Sequence, residues 1–204
     1  MDKNIKNIVF DLGGVLINLD FERAFEAFKK AGFENIEEQL QSFNREGIFE
    51  QFELGEISQE EFRSAIREKA KIALTDQEID DMWNLVLLDI PREKLELILD
   101  LRGKYMVYLL SNTNKTHWDY TCKNAFNYRG FRVEDYFEET FLSFEMHIIK
   151  PNKAIFETML SEANLLAEET LFIDDSEANC KAAQEVGIHA HHYHIGDDLS
   201  KIFE

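Results

Sequence analysis

Three short apolar runs constrain the fold of this chain more than anything else in it: "NIVF" at 7–10, "MVYLL" at 106–110 and "TLFI" at 170–173. Their apolar residues are nearly continuous instead of alternating, the pattern of strands covered on both faces, as in a parallel sheet. "TFLSF" (140–144) and "IHAHHYHI" (188–195) are candidates for further strands. Between the runs the apolar period becomes helical. Pro91 opens a segment carrying Leu95, Ile98, Leu99 and Arg102, and Gly103 stops it. Trp118, Cys122, Ala125 and Phe126 fall on one face, and Ile155, Phe156, Met159, Leu160 and Ala163 on another. Ser176 is placed to cap a helix through Ala182, Ala183 and Val186 that ends at Gly187. Strand and helix in alternation predict an α/β fold, a Rossmann-like, doubly wound parallel sheet.

One stretch breaks the alternation. From about residue 20 to 88 the pattern is helical only. Phe21, Ala24, Phe25 and Phe28 follow the i, i+3, i+4, i+7 spacing of an amphipathic helix. Ser58 and Glu61 form one capping-box signature, Thr75 and Glu78 a second, each ahead of an apolar stripe. A helical block after the first strand of a sheet predicts an inserted helical-bundle cap. The expected division is a core of 1–16 and 89–204 and a cap of 17–88.

Composition removes several function classes. The chain has 204 residues, 45% of them hydrophobic, enough for a sizeable core. Its 22 Lys and Arg against 40 Asp and Glu leave a net charge of −18, with no basic patch to meet nucleic acid. Screening over about 8 Å still allows an anionic substrate into a locally positive pocket. Cys122 and Cys180 stand far apart without metal-ligand spacing, as expected of free thiols in a reducing cytoplasm. The first apolar run is too short for a signal peptide or membrane span, so a cytoplasmic protein with no membrane partner is expected.

Chemistry in an open α/β sheet gathers beyond the carboxyl ends of its strands. Just past the first run lies Asp11, followed by Gly13 and Gly14. Past "MVYLL" comes Ser111-Asn112-Thr113-Asn114, and past "TLFI" come Asp174-Asp175-Ser176 with Asn179 a turn on. Lys150-Pro151-Asn152 precedes a predicted helix. Taken singly, these are ordinary caps and turns. Together they make one site, in which three carboxylates suit a hard divalent cation while a lysine and helix-start N–H groups suit a phosphoryl group.

"FDLGGVL", "LLSNTN", "IIKP" and "FIDDSEAN" resemble, in order, the four motifs of the haloacid dehalogenase-like hydrolase superfamily, and the helical insert resembles its helical-cap subgroup. Within that subgroup, "FDLGGVLINLDFER", "GEISQEEF" and "LSNTN" are similar to bacterial phosphatases acting on α-glucose 1-phosphate and, less closely, to the phosphatase domain of epoxide hydrolases. The resemblance implies a Mg²⁺-dependent phosphatase acting on a small phosphorylated metabolite, with a sugar phosphate favoured, as a monomer or homodimer. It implies that Asp11 is the nucleophile and forms an aspartyl-phosphate. It further implies that Asp11, the carbonyl of Gly13 and one or both of Asp174 and Asp175 bind Mg²⁺, Asp175 being favoured as the direct ligand. Ser111 and the N–H of Asn112 would hold phosphate oxygens, and Lys150 would neutralise charge on nucleophile and phosphoryl group.

The departure from the pattern is Gly13. Phosphatases of this family usually carry a second aspartate there, which protonates the leaving oxygen, and a glycine donates no side-chain proton. A good leaving group, a substitute carboxylate such as Asp20 or Glu22, or a weakly active binding protein would each reconcile the chain with that gap. A dehalogenase using Asp11 on carbon is the enzymatic alternative. The Asp174-Asp175 pair and the lack of an arginine soon after the first motif count against it. The histidines of "HAHHYH" (189–194) suggest zinc, but strand alternation leaves only two on either face. Trp83 and the phenylalanines of the insert read as core, His147 reads equally well as surface or site, and "FEQFELGEIS" (49–58) is expected to place a loop over the pocket.

Overall fold

This computed structural model describes residues 4–33 and 47–204. Five parallel strands form one sheet, β1 (Asn7–Phe10), β2 (Met106–Ser111), β3 (Glu139–Leu142), β4 (Thr170–Asp174) and β5 (His189–His192), in the order β3-β2-β1-β4-β5. The chain leaves β1 toward β2 and β3, then returns to the other side of β1 for β4 and β5. The carboxyl end of β1 is therefore the switch point where such sheets bind ligands.

Alternation within the three central strands, covered on both faces, divides the core. Ile8 and Phe10 with Val107, Leu109, Leu171 and Ile173 face one layer, which includes Leu95 and Ile98 of α5 (Arg92–Arg102). Val9 with Tyr108, Leu110 and Phe172 faces the other. There α9 (Lys153–Glu162) supplies Ile155, Phe156 and Met159, and α10 (Glu177–Glu185) supplies Ala182 and Ala183. Pro91 and Gly103 bound α5, and Ser176 caps α10, as the sequence predicts.

The insertion between β1 and α5 contributes α1 (Phe21–Lys30), α2 (Ile48–Glu53), α3 (Gln59–Lys69) and α4 (Asp76–Asn84) among the described residues. The part of the predicted helical stretch from 34 to 46 lies outside them. Where a loop is expected from 49 to 58, the chain is helical through Glu53, as α2. Both predicted capping boxes form, at Ser58 and at Thr75. The helices close around an aromatic core in which Phe52 stacks on Phe62 at 4.4 Å and Phe49 on Trp83 at 5.2 Å. Arg63 forks onto both Asp80 oxygens at 2.8 and 2.6 Å, joining α3 to α4. The segments that lead in and out of this bundle pair with each other: Asn18 N–H donates to Asp89 O at 3.1 Å and Leu88 N–H to Asn18 O at 3.0 Å. No described helix is long and apolar enough to cross a membrane.

Three sequence expectations shift in detail. "TFLSF" pairs only through Leu142, because Ser143 leaves the sheet to bond Thr113 and the insertion, and Ser143–Met146 is a single helical turn, α8. Of "IHAHHYHI", only His189–His192 pairs. Tyr193 turns inward, its N–H donating to Asp174 O at 2.9 Å. The helix holding Trp118, α6 (Lys115–Asn124), ends before Phe126 and buries Thr116 and Thr121 instead of a continuous apolar stripe, and Thr116 accepts a bond from Gln59 of the insertion.

Candidate active site

Register alone brings the acidic residues together. Phe10 pairs with Ile173, so Asp11 and Asp174 stand level at the ends of neighbouring strands. A bond from Asp11 N–H to Ile173 O, 2.9 Å, continues the ladder to that point. One oxygen each of Asp11, Asp174 and Asp175 can be chosen so that all lie within 4.8 Å of one another. Lys150, from the segment before α9, closes the group, its Nζ donating to Asp11 Oδ1 and Asp174 Oδ2, both at 2.7 Å. A third bond runs to Leu110 O at 2.9 Å, and the ammonium lies 5.2 Å from the Phe172 ring centre.

Each of these groups is held by others. Asn112 clamps the lysine backbone in both directions, donating to Lys150 O at 3.0 Å and accepting from Lys150 N–H at 2.8 Å. Asp174 is fully buried and both its oxygens are engaged: Oδ1 by Ser176 N–H and Asn179, Oδ2 by Asn179 and Lys150. Asp175 lies against the turn after β1. A Cβ on Gly14 would stand 2.4 Å from Asp175 Oδ2, and Gly14 has φ +74°, so both space and backbone require glycine there. Ser111 ends β2 beside this group and, with Asn112, borders the space in front of it.

The electrostatics follow from burial. Desolvation pushes the Asp11 carboxyl up to about 7, with Lys150 opposing and Asp174 reinforcing the rise. Burial and Asp174 likewise raise Asp175. For Lys150 burial favours loss of the proton, yet Asp11 and Asp174 outweigh it and hold the ammonium above the usual lysine value. One lysine cannot balance three carboxylates. The all-oxygen donor set and the surplus negative charge fit a hard divalent cation such as Mg²⁺.

A cavity of about 650 Å³ opens in front of the carboxyl edge, walled by core residues including Gly13, Ser111 and Asn112 and by insertion residues including Glu53 and Trp83. Among the described residues its wall holds three carboxylates, Glu22, Glu50 and Glu53, and no lysine or arginine. His117 also borders it. Burial drives its imidazole down to about 4, its ring stacks on Trp83 at 4.6 Å, and its Nε2 lies 3.0 Å from Trp83 O. Trp83 is thus both core and cavity wall. Asp20 is occupied as the cap of α1, whereas Glu22 does reach the cavity. Exposed His147 places Nδ1 2.8 Å from Leu54 O, joining core to insertion. The late histidines lie apart from the carboxylate group, although His192 touches it indirectly through Asp175 O at 2.9 Å. Glu53 and His117 were not identified from the sequence. The stretch around Glu53 is marked by its position after the first insertion helix, but nothing in the spacing separates Glu53 from its neighbours Glu50 and Glu56.

This geometry has close counterparts. The chain is 36% identical over 183 residues to the D-ribitol-5-phosphate phosphatase of Bacteroides thetaiotaomicron, covering 90% of this chain and 89% of that one. It superposes with TM-score 0.94 and 55% identity on a HAD family enzyme of the same bacterium, crystallised in complex with magnesium and inorganic phosphate, covering 98% of this chain and 100% of that one. A HAD-like family hydrolase from Porphyromonas gingivalis matches at TM-score 0.90 and 38% identity, over 98% and 96% of the two chains. With residues 5–187 also matching the family as a whole, the chain belongs to the haloacid dehalogenase-like hydrolases.

Proposed function

We propose that this protein is a Mg²⁺-dependent phosphomonoesterase that hydrolyses a sugar or sugar-alcohol phosphate through an aspartyl-phosphate on Asp11. The observation that carries the reading is the bridge of Lys150 to both Asp11 and Asp174, 2.7 Å each, on a shared strand edge. The ammonium lowers the cost of bringing a phosphate dianion to a carboxylate nucleophile, a reaction governed largely by positioning and charge. Asp11 attacks phosphorus and water later cleaves the acyl phosphate. Ser111 Oγ and Asn112 N–H hold phosphate oxygens. Asp11, Asp174, Asp175 and the Gly13 carbonyl are the residues for the metal, which supplies Lewis-acid stabilisation of charge on the phosphoryl group. Asp174 spends both oxygens on protein donors while Asp175 does not, which favours Asp175 as direct ligand and Asp174 as its support.

The helices between residues 17 and 88 act as the cap that closes over the substrate, with residues 1–16 and 89–204 as the catalytic core. A cavity wall with carboxylates and no lysine or arginine among the described residues favours a neutral, hydroxyl-rich leaving group over one carrying a second anion. The relative that acts on D-ribitol 5-phosphate supports that class. Cys122 and Cys180, both free thiols, agree with a cytoplasmic setting. The test is phosphate release from a panel of sugar and polyol phosphates with Mg²⁺ and with EDTA. Release that is unchanged by EDTA, or absent from every ester, defeats the proposal.

A further inference from the structure

The phosphatase reading leaves one proton without a source. Expelling an alkoxide from an alkyl phosphate calls for an acid beside the leaving oxygen, and position 13 has no side chain. A side chain there would also crowd its neighbour: a Cβ on Gly13 would stand 3.2 Å from Leu19 Cδ1, which would have to shift by a few tenths of an ångström. Other polar groups near the site are committed. Asp20 accepts from Arg23 N–H at 3.3 Å, and Asp174 has both oxygens bonded. The nitrogens of His117 face Asn114 at 3.2 Å and Trp83 O at 3.0 Å. The cavity carboxylates Glu22, Glu50 and Glu53 remain.

Among these three, Glu53 is the one fastened to the core. It ends α2, and its carbonyl accepts from Ser143 Oγ at 2.7 Å. The same Ser143 oxygen accepts from Thr113 N–H at 2.9 Å, two residues beyond Ser111. The next two residues are held as well, Leu54 O by His147 Nδ1 at 2.8 Å and Gly55 by close backbone approach to Phe144 O. With φ +66° and a Cβ that would fall 2.1 Å from Phe144 O, position 55 admits only glycine in this packing. Two core segments thus fix the backbone of Glu53 beside the carboxyl end of β2, at the wall of the cavity that Gly13 also borders. Glu22, by contrast, is exposed on α1.

We infer that Glu53 is the general acid and base of the reaction, the cap residue that replaces the side chain missing at Gly13. The inference rests on the phosphatase reading. In the first step the Asp11 carboxylate oxygen bonds to phosphorus, the bond from phosphorus to the leaving oxygen breaks, and the Glu53 carboxyl proton passes to that oxygen, giving a neutral alcohol. In the second step water attacks the aspartyl-phosphate, the Glu53 carboxylate takes the water proton, and inorganic phosphate and the Asp11 carboxylate separate. Atoms and charge balance, and Glu53 ends protonated. Burial, helped by Glu50 one turn away, pushes its carboxyl up to about 7, so both forms are present near neutrality. Glu50 on its own helix is the charged group acting on it, Glu22 on α1 and neutral His117 on α6 share the cavity wall, and His147 beyond α8 bonds the carbonyl of the next residue.

The test compares wild type with Glu53→Gln on two esters in Mg²⁺: p-nitrophenyl phosphate, whose leaving group departs unprotonated, and D-ribitol 5-phosphate, whose leaving group does not. Glu53→Gln is expected to lower kcat/KM for D-ribitol 5-phosphate about 10²–10³-fold and that for p-nitrophenyl phosphate by less than about threefold. The fall in wild-type kcat/KM for the alkyl ester above pH about 7 should vanish in the variant. Equal losses on the two esters, losses under threefold on both, or a wild type that cleaves the aryl ester and no alkyl ester would overturn the inference. A wild type inert toward both would instead defeat the phosphatase reading itself.

Discussion

The two sides of the cavity treat charge differently. On the core side, Asp11 and Asp174 share a lysine that Asn112 and Leu110 hold in place, and Asp174 is saturated with donors. On the insertion side Glu22, Glu50 and Glu53 line the wall with no lysine or arginine among the described lining residues. The difference separates the tasks. The phosphate end needs fixed charges in place before substrate arrives, since electrostatic stabilisation works best when the groups do not reorganise during reaction. The leaving-group end needs a shaped, mostly apolar pocket with a few polar atoms.

Removing the proposed nucleophile should strike the core side hardest. Asp11→Asn keeps the shape of the site but loses the attacking oxygen, and phosphate release should fall by roughly 10⁴-fold or more, measured by steady-state phosphate assay. Residual activity within tenfold of wild type would put the nucleophile elsewhere. Next comes the charge balance. Lys150→Met leaves Asp11 and Asp174 buried without their cation, at a cost of about 3–5 kcal/mol in urea unfolding without metal, and Mg²⁺ should recover part of it. A variant as stable as wild type would mean the core carboxylates are no better paired than those of the cap.

The insertion side gives smaller and opposite effects. Burial raises the Glu53 carboxyl in the folded state to about 7, from 4.5 in the open chain. As pH rises the unfolded chain loses this proton first, so stability falls between about 4.5 and 7 and levels off above. Glu53→Gln removes that loss, and should gain stability over wild type by roughly 3 kcal/mol between pH 4 and pH 8. Urea midpoints at the two pH values test it, and a variant that gains nothing at pH 8 would deny that Glu53 is desolvated. The smallest effect belongs to the ion pair remote from the cavity. Arg63→Met breaks the fork onto Asp80 and should cost about 1 kcal/mol or less, decreasing with salt, with kcat/KM unchanged. A large change in kcat/KM would mean that the α3–α4 contact shapes the pocket.

The strands, the inserted bundle and the phosphate end of the site were legible in the sequence because each rests on local pattern. Continuous apolar runs mark strands covered on both faces, and polar residues directly after such runs must lie at the carboxyl edge. Asp11, Ser111, Asp174 and Asp175 are of that kind, Lys150 comes from the turn before a helix, and the structure brings them together. The strand ends at Ser143 and Tyr193 were not legible, because contacts distant in sequence decide them: Thr113 and Glu53 for the first, Asp174 for the second.

The sequence by itself determined the sheet, the helical insertion and an aspartate placed at a strand end, since periodicity and strand-edge placement carry all three. Only the tertiary structure decided which glutamates of the insertion meet the cavity and what packs over position 13. Glu53 and Gly13 stand 40 positions apart, and no local pattern reports that Ser143, His147 and Phe144 fasten one beside β2 while Leu19 fills the space over the other. Side-chain proximity across a domain boundary is set by packing, and packing is a property of the folded whole.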